Sequence, residues 1–141
     1  MGQGLANAVG MAIAERWLAA RYNRPDHEII DHRTYCIVSD GDLMEGISNE
    51  AASLAGSLGL GRLIAMYDSN NISIEGSTDY TFAEDVAARF RSLGWQVIGP
   101  VDGLAPAEVQ KALDEARGDS HRPSLVICRT VIGYGSPNKA N

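Results

Sequence analysis

Long apolar runs are missing from this chain. Nowhere do its 141 residues approach the roughly 20 consecutive apolar positions that a bilayer-spanning helix needs. The first residues, Met1-Gly2-Gln3-Gly4, lack the basic start and apolar core of a secretory signal. Cysteine is scarce. Cys36 and Cys128 sit inside apolar runs, without CxxC spacing or a neighbouring His. They read as small buried hydrophobes rather than as redox or metal sites. Their scarcity points to a reducing, cytoplasmic compartment. Positive charge is also short. Twelve Lys and Arg stand against 18 Asp and Glu, for a net charge of −6. The basic residues are scattered, which excludes a protein that grips the phosphates of nucleic acid. A small anionic ligand remains possible if a metal ion or backbone N–H groups hold it.

What is present is an ordinary globular composition. Apolar residues make up 45% and charged residues 21%, which excludes a disordered tail, a collagen or a coiled coil. The length predicts one domain over 1–141. Residues 4–22 have helical spacing, with Leu5, Val9, Ile13 and Trp17 on one stripe and Gly4, Ala8 and Ala12 beside it. A strand is predicted over 34–39 and a helix over 46–58, the latter with Ile47, Ala51, Leu54, Ala55 and Leu58 on its inner side. A second strand is predicted over 63–67, a loop over 72–80 and a helix over 82–93. A strand over 95–98, a helix over 106–117 and a strand over 125–129 complete the order, before a loop-like tail.

Strand and helix alternate through short connections. This predicts an α/β fold, a parallel sheet with helices on both faces. The strands are apolar throughout, as expected when both faces are covered. In such sheets ligands bind beyond the carboxyl ends of the strands. The richest polar clusters fall there: Asp40, Asp42 and Glu45 after the first strand, and Asp68, Ser69, Asn70 and Asn71 after the second.

Asp40 offers a carboxylate on a predicted sharp turn, and Gly41 lets backbone approach a ligand. Asn70 offers an amide oxygen, and loop carbonyls follow it. Such hard oxygen ligands suit Mg²⁺ or Ca²⁺. Mg²⁺ fills its remaining positions with water and phosphate oxygens, and the helix starting near Gly46 would aim N–H groups at the same place. Together they describe a diphosphate clamped through a divalent cation. Asp-Gly-Asp and Asn-Asn are also common as plain turns, and their thirty-residue separation leaves both readings open.

Ser39-Asp40-Gly41 followed by Asn70-Asn71 resembles the thiamine-diphosphate motif, which begins Gly-Asp-Gly. The segments around Gly2 to Ala12, Asp42 to Ser48, Ser53 to Gly56, Leu63 to Asn70 and Ile132 to Lys139 resemble transketolase sequences. The resemblance covers essentially the whole chain. It implies the diphosphate-binding half of the thiamine-diphosphate fold, with thiamine diphosphate and Mg²⁺ (or Ca²⁺) as cofactors. It also implies an activity of the pentose phosphate pathway, the transfer of a two-carbon ketol unit between sugar phosphates. By position, Asp40 and Asn70 would ligate the metal through side-chain oxygens and Ile72 through its carbonyl. Gly41 would meet the diphosphate with its N–H. Ile74 and Met1 would lie beside the cofactor's rings. Glu45 resembles a glutamate of the dimer interface that helps link two cofactor sites. Read without the resemblance, Glu45 is a solvated charge near a helix start.

Two departures stand out. Ser39 replaces the first Gly of the motif, which fits only if that residue needs no positive φ and has room for a hydroxyl. The resemblance also covers only the half that holds the diphosphate. The glutamate that protonates the aminopyrimidine, and the family's substrate histidines, lie outside it. His27, His32 and His121 read as surface residues. The expected assembly is a homodimer, or a partner chain carrying the pyrimidine-binding domain. The alternative is a non-catalytic or split-enzyme cofactor-binding subunit.

Overall fold

The structure, a computed structural model, describes residues 1–74 and 76–140. Helix α1 (Gln3–Tyr22) leads into strand β1 (Thr34–Ser39). A short helix α2 (Asp40–Met44) and helix α3 (Gly46–Leu58) then carry the chain to β2 (Leu63–Ser69). A small antiparallel hairpin, β3 (Ile72–Ser73) with β4 (Gly76–Ser77), follows, with a 3₁₀ turn over Thr78–Tyr80. Helix α4 (Val86–Ser92), strand β5 (Gln96–Asp102), helix α5 (Pro106–Gly118) and strand β6 (Ser124–Arg129) complete it. The main sheet is all parallel, in the order β1-β2-β6-β5.

Alternate residues of the central strands feed two cores. Val38, Leu63, Ala65, Tyr67, Leu125 and Ile127 point to the side covered by α1, α3 and α4. Ile64, Val126, Ile98 and Cys128 point to the side covered by α5, where Ala112 and Ala116 meet them. Helices therefore lie on both faces, as the alternation predicts. The second face is covered only in part. On β1, Ile37 is 74% exposed and Tyr35 is exposed beside it, because α5 packs over β5 and β6. Only the Val38 side of β1 is thus apolar because it is buried within this chain; the Tyr35 and Ile37 side is apolar and exposed.

The buried faces of the helices overlap those predicted but are turned toward their small residues. In α1 the inner stripe is Leu5, Ala8, Val9, Ala12 and Glu15, while Gly4 and Ile13 are exposed and Trp17 is 62% exposed. In α3 it is Ser48, Ala51, Ala52 and Ala55, while Ile47, Leu54 and Leu58 are exposed. Small residues let α1 and α3 pack closely on each other, and two polar side chains with specific partners take inner positions. Arg62 reaches Glu15 at 3.4 Å, and the Ser48 hydroxyl donates to the Asp42 carbonyl at 2.6 Å.

Boundaries also shift. Strand β2 runs on to Ser69 because Ser39 and Cys128 flank Asp68 in the ladder. The predicted loop over 72–80 contains the hairpin and the 3₁₀ turn. Helix α4 starts only after Asp85, whose carboxylate accepts from the Ala88 N–H at 2.9 Å and caps it. Strand β5 extends to Asp102, with a slip in register between Ile98 and Val101 at Gly99-Pro100. Cys128 is buried as expected, whereas Cys36 is only partly so. Burial pushes the Cys36 thiol up to about 11, so it is a poor nucleophile. His27, His32 and His121 are all exposed. Among the described residues no helix is long and apolar enough to cross a membrane.

Candidate functional site

Two neighbouring strand ends build the site. In the parallel β1–β2 ladder Ser39 pairs with Asp68, and adjacent strands run only about 4.8 Å apart. Asp40 follows Ser39 directly, and Asn70 lies two residues beyond Asp68. The register therefore brings the two polar clusters side by side at the carboxyl edge.

Asp40 does not sit on a turn, as predicted, but opens helix α2. It is only 2% exposed. The Tyr67 hydroxyl donates to its Oδ1 at 2.5 Å. Its Oδ2 is buried and has no hydrogen-bond partner among the described residues. An uncompensated carboxylate oxygen in such a place is costly, and a divalent cation is a partner that would satisfy it. Burial, and then the hydrogen bond to Asp40, push the Tyr67 phenol well above its ordinary value, so it remains a donor.

Beside Asp40, a Cβ built on Gly41 would meet nothing closer than the Met1 side chain, at 3.4 Å. The space over this backbone is lined by the residue expected beside it. Asp42 organises the bend. Its carboxylate accepts from the N–H of Gly2 at 3.0 Å and from the N–H and hydroxyl of Ser39 at 3.1 and 3.0 Å. Burial raises its pKa, but the Gly2 and Ser39 donors outweigh that and hold it below the ordinary carboxylate range. Satisfied three times, Asp42 is not spare for a metal. Ser39 itself has φ −116° and ψ 176°, extended backbone that needs no glycine, and its hydroxyl is accommodated by Asp42. Gly2 does need to be glycine. Its φ is +74°, and a Cβ there would lie 2.7 Å from the Ser48 hydroxyl.

On the second strand end, the Asn70 amide donates to Asp68 at 3.4 Å, and its carbonyl oxygen accepts from the Ile72 N–H at 3.0 Å. This turn leaves the oxygen a second lone pair. Thr130, beyond β6, donates to the other oxygen of Asp68. Asn71 has φ +61°, a conformation asparagine tolerates. The Ser73 hydroxyl lies 3.9 Å from the Met44 sulfur, which joins the hairpin to α2. Ile74 stands at the hairpin's turn, 87% exposed. Glu45 sits at the N-cap of α3 with no side-chain hydrogen bond to it, packed beside Gly2.

Sequence reasoning missed Tyr67 and Asp42 as working parts. Tyr67 was hidden inside an apolar strand, and only its hydroxyl sets it apart from a core aromatic. Asp42 carried a visible signal, an acid three residues after Ser39 at a helix start. Among the described residues no three His, Cys, Asp or Glu side chains gather into a metal cage. A cation here would depend on Asp40, on neutral amide and backbone oxygens, and on oxygens brought by the ligand, which is the donor set Mg²⁺ favours. The residues present fit that cation.

Comparison with known proteins identifies the family and the fold. The family described as "Transketolase, thiamine diphosphate binding domain" matches residues 1–141. Transketolase 2 of Escherichia coli (strain K12) is 61% identical over 140 residues, covering 99% of this chain and 21% of that protein. Transketolase 1 of Pasteurella multocida (strain Pm70) is 58% identical over 141 residues, covering 100% and 21%. Among solved structures, transketolase from Leishmania mexicana superposes with a TM-score of 0.94 at 48% identity, covering 97% of this chain and 21% of that one. A Pichia stipitis transketolase in complex with sedoheptulose 7-phosphate gives 0.95 at 48% identity, covering 98% and 21%. The chain spans about a fifth of the length of the curated relatives it matches. On sequence and fold alike, this chain belongs to the transketolase family, as a thiamine diphosphate-binding domain.

Proposed function

We propose that this domain anchors thiamine diphosphate through a divalent cation, Mg²⁺ or Ca²⁺, within a transketolase acting on sugar phosphates in the cytoplasm. The observation that carries the reading is the Asp40 carboxylate, held at a strand end with one buried oxygen unpartnered. Asp40 and Asn70 would hold the cation through side-chain oxygens, and Ile72 through its carbonyl. The Gly41 N–H would meet the diphosphate, with Met1 and Ile74 as apolar walls near the rings. The cation is needed because Asp40, Asp42 and Asp68 would otherwise repel an anionic ligand. When bound, thiamine diphosphate supplies the carbon that carries a two-carbon unit from one sugar phosphate to another. This chain's part is to bind and orient.

Glu45, beside Gly2 and without a hydrogen-bond partner for its cap position, is free to meet a second subunit. Exposed Ile37, Trp17, Ile47 and Leu54 support burial against further protein, whether a dimer mate or a chain carrying the pyrimidine-binding domain. Light scattering reads the assembly, and a clean monomer at high concentration would count against it.

The test is a calorimetric titration of thiamine diphosphate into the protein with Mg²⁺, repeated in EDTA and with Asp40→Ala. Binding that requires the metal and the Asp40 carboxylate supports the reading. Absence of binding at millimolar cofactor sinks it. A coupled assay with a ketose phosphate donor is expected to give negligible turnover for these residues alone. Turnover on adding a partner chain would favour the split-enzyme form.

A further inference from the structure

We propose that Tyr67 is the positioning residue of the cation site, fixing Asp40 so that one carboxylate oxygen is left for the metal. This rests on the reading of Asp40 as a metal ligand. Val38 and Tyr67 are partners in the β1–β2 ladder, and both point into the same core. Asp40 comes two residues after Val38. A tyrosine side chain reaches about as far as the ~6.6 Å that two strand residues advance, and its hydroxyl meets Asp40 just beyond the strand end. The ring is 5% exposed, which leaves it little freedom to swing away. The hydroxyl occupies Oδ1 at 2.5 Å, and Oδ2 alone is unpartnered. The helix that starts at Asp40 is itself pinned, because the Arg89 guanidinium donates to the Leu43 carbonyl at 3.1 and 3.2 Å.

A carboxylate with one oxygen held by a phenol can offer a cation only the other. Mg²⁺ demands near-octahedral geometry, which one-oxygen ligation suits. Ca²⁺ accepts looser shells and carboxylates that bind through both oxygens. The phenol therefore tilts the site toward Mg²⁺. Loss of the hydroxyl would free Oδ1, penalising Mg²⁺ through disorder while offering Ca²⁺ a second contact. A hydroxyl that served only to stabilise the fold would have no such preference.

The experiment is calorimetric titration of Mg²⁺, and separately Ca²⁺, into metal-free protein mixed with excess thiamine diphosphate, for wild type and Tyr67→Phe. Tyr35→Phe, which removes an exposed hydroxyl bonded to Arg117, is the control. Tyr67→Phe is expected to weaken Mg²⁺ about 10-fold and Ca²⁺ by less than about threefold. Tyr35→Phe is expected to change neither. Should Tyr67→Phe fold poorly, Tyr67→para-aminophenylalanine keeps a donor at the same point and is expected to retain the wild-type preference for Mg²⁺ over Ca²⁺, and loss of that preference would overturn the role. Equal losses for both metals, or none, would overturn the positioning role and leave the Asp40 assignment standing. Wild-type protein that binds cofactor with no metal dependence would overturn both.

Discussion

Ser39 and Asp42 are joined twice: the Ser39 N–H and hydroxyl both donate to Asp42 Oδ2, at 3.1 and 3.0 Å. The serine that replaces the motif's glycine is therefore part of the bend rather than a flaw in it. Ser39→Ala should cost about 1 kcal/mol, the usual value of such a helix-start bond, in chemical denaturation. Asp42→Asn should flatten the acid limb of the stability curve. Because the folded pKa of Asp42 is lowered, its contribution is complete above the ordinary carboxylate range and fades as pH falls through the lowered value. Melting temperature followed from about pH 6 down to about pH 3 reads this, and unchanged slopes in Asp42→Asn would refute it.

Gly56 faces the backbone of the segment after α4. A Cβ there would stand 1.7 Å from the Leu93 carbonyl oxygen. Nearby, the Trp95 indole N–H donates to the Ala52 carbonyl at 2.9 Å, so α3 and this segment cannot part without breaking a buried bond. Gly56→Ala should cost about 3 kcal/mol, the upper end for overpacking. Gly10→Ala on exposed α1 meets nothing within 4 Å, and should be neutral or slightly stabilising through helix propensity. Equal denaturation midpoints for the two variants would contradict the contact.

How much of this was legible before folding can be argued from single residues. Asp40 and Asn70 were visible because strand ends in a parallel sheet are marked by the change from apolar to polar text. The register of neighbouring strands then brings such ends together. The inner faces of α1 and α3 were visible only in part: the spacing marks Leu5, Ala8, Val9 and Ala12, and Ala51 and Ala55, but not the polar members. Glu15 and Ser48 are buried by partners distant in sequence, Arg62 and the Asp42 carbonyl, and no apolar spacing can include them. Tyr67 looked like core because its ring is core. Its role appears only once the ladder sets Val38 opposite it. The exposed apolar faces of β1 and α3 misled the pattern for another reason: apolar spacing marks a face without saying what covers it, and much of any protein surface is apolar.

Arg62 holds three carboxylates, those of Glu15, Glu28 and Asp31. Only Glu15 is buried, at 4% exposed. Arg62→Met should therefore act mainly by stranding Glu15. The cost should be about 2 kcal/mol, below the roughly 3–5 of a fully buried pair because Arg62 keeps some solvent contact. The double variant Glu15→Met with Arg62→Met should recover most of the loss. A double variant as weak as the sum of the two single ones would show that the pair is not the source.

Ile74 is a β-branched residue at φ +52°, a conformation that costs an L residue about 1–2 kcal/mol. Among the described residues little side-chain packing offsets that strain, since the side chain is 87% exposed. Strain of this kind collects at binding sites, where a ligand or partner repays it. Asparagine is comfortable in that conformation. Ile74→Asn should raise the denaturation free energy of the cofactor-free protein by about 1 kcal/mol. Thiamine diphosphate affinity should fall in the same variant, because the side chain near the rings is lost. The two measurements should thus move in opposite directions. A rise in stability with unchanged cofactor affinity would remove Ile74 from the proposed ring pocket.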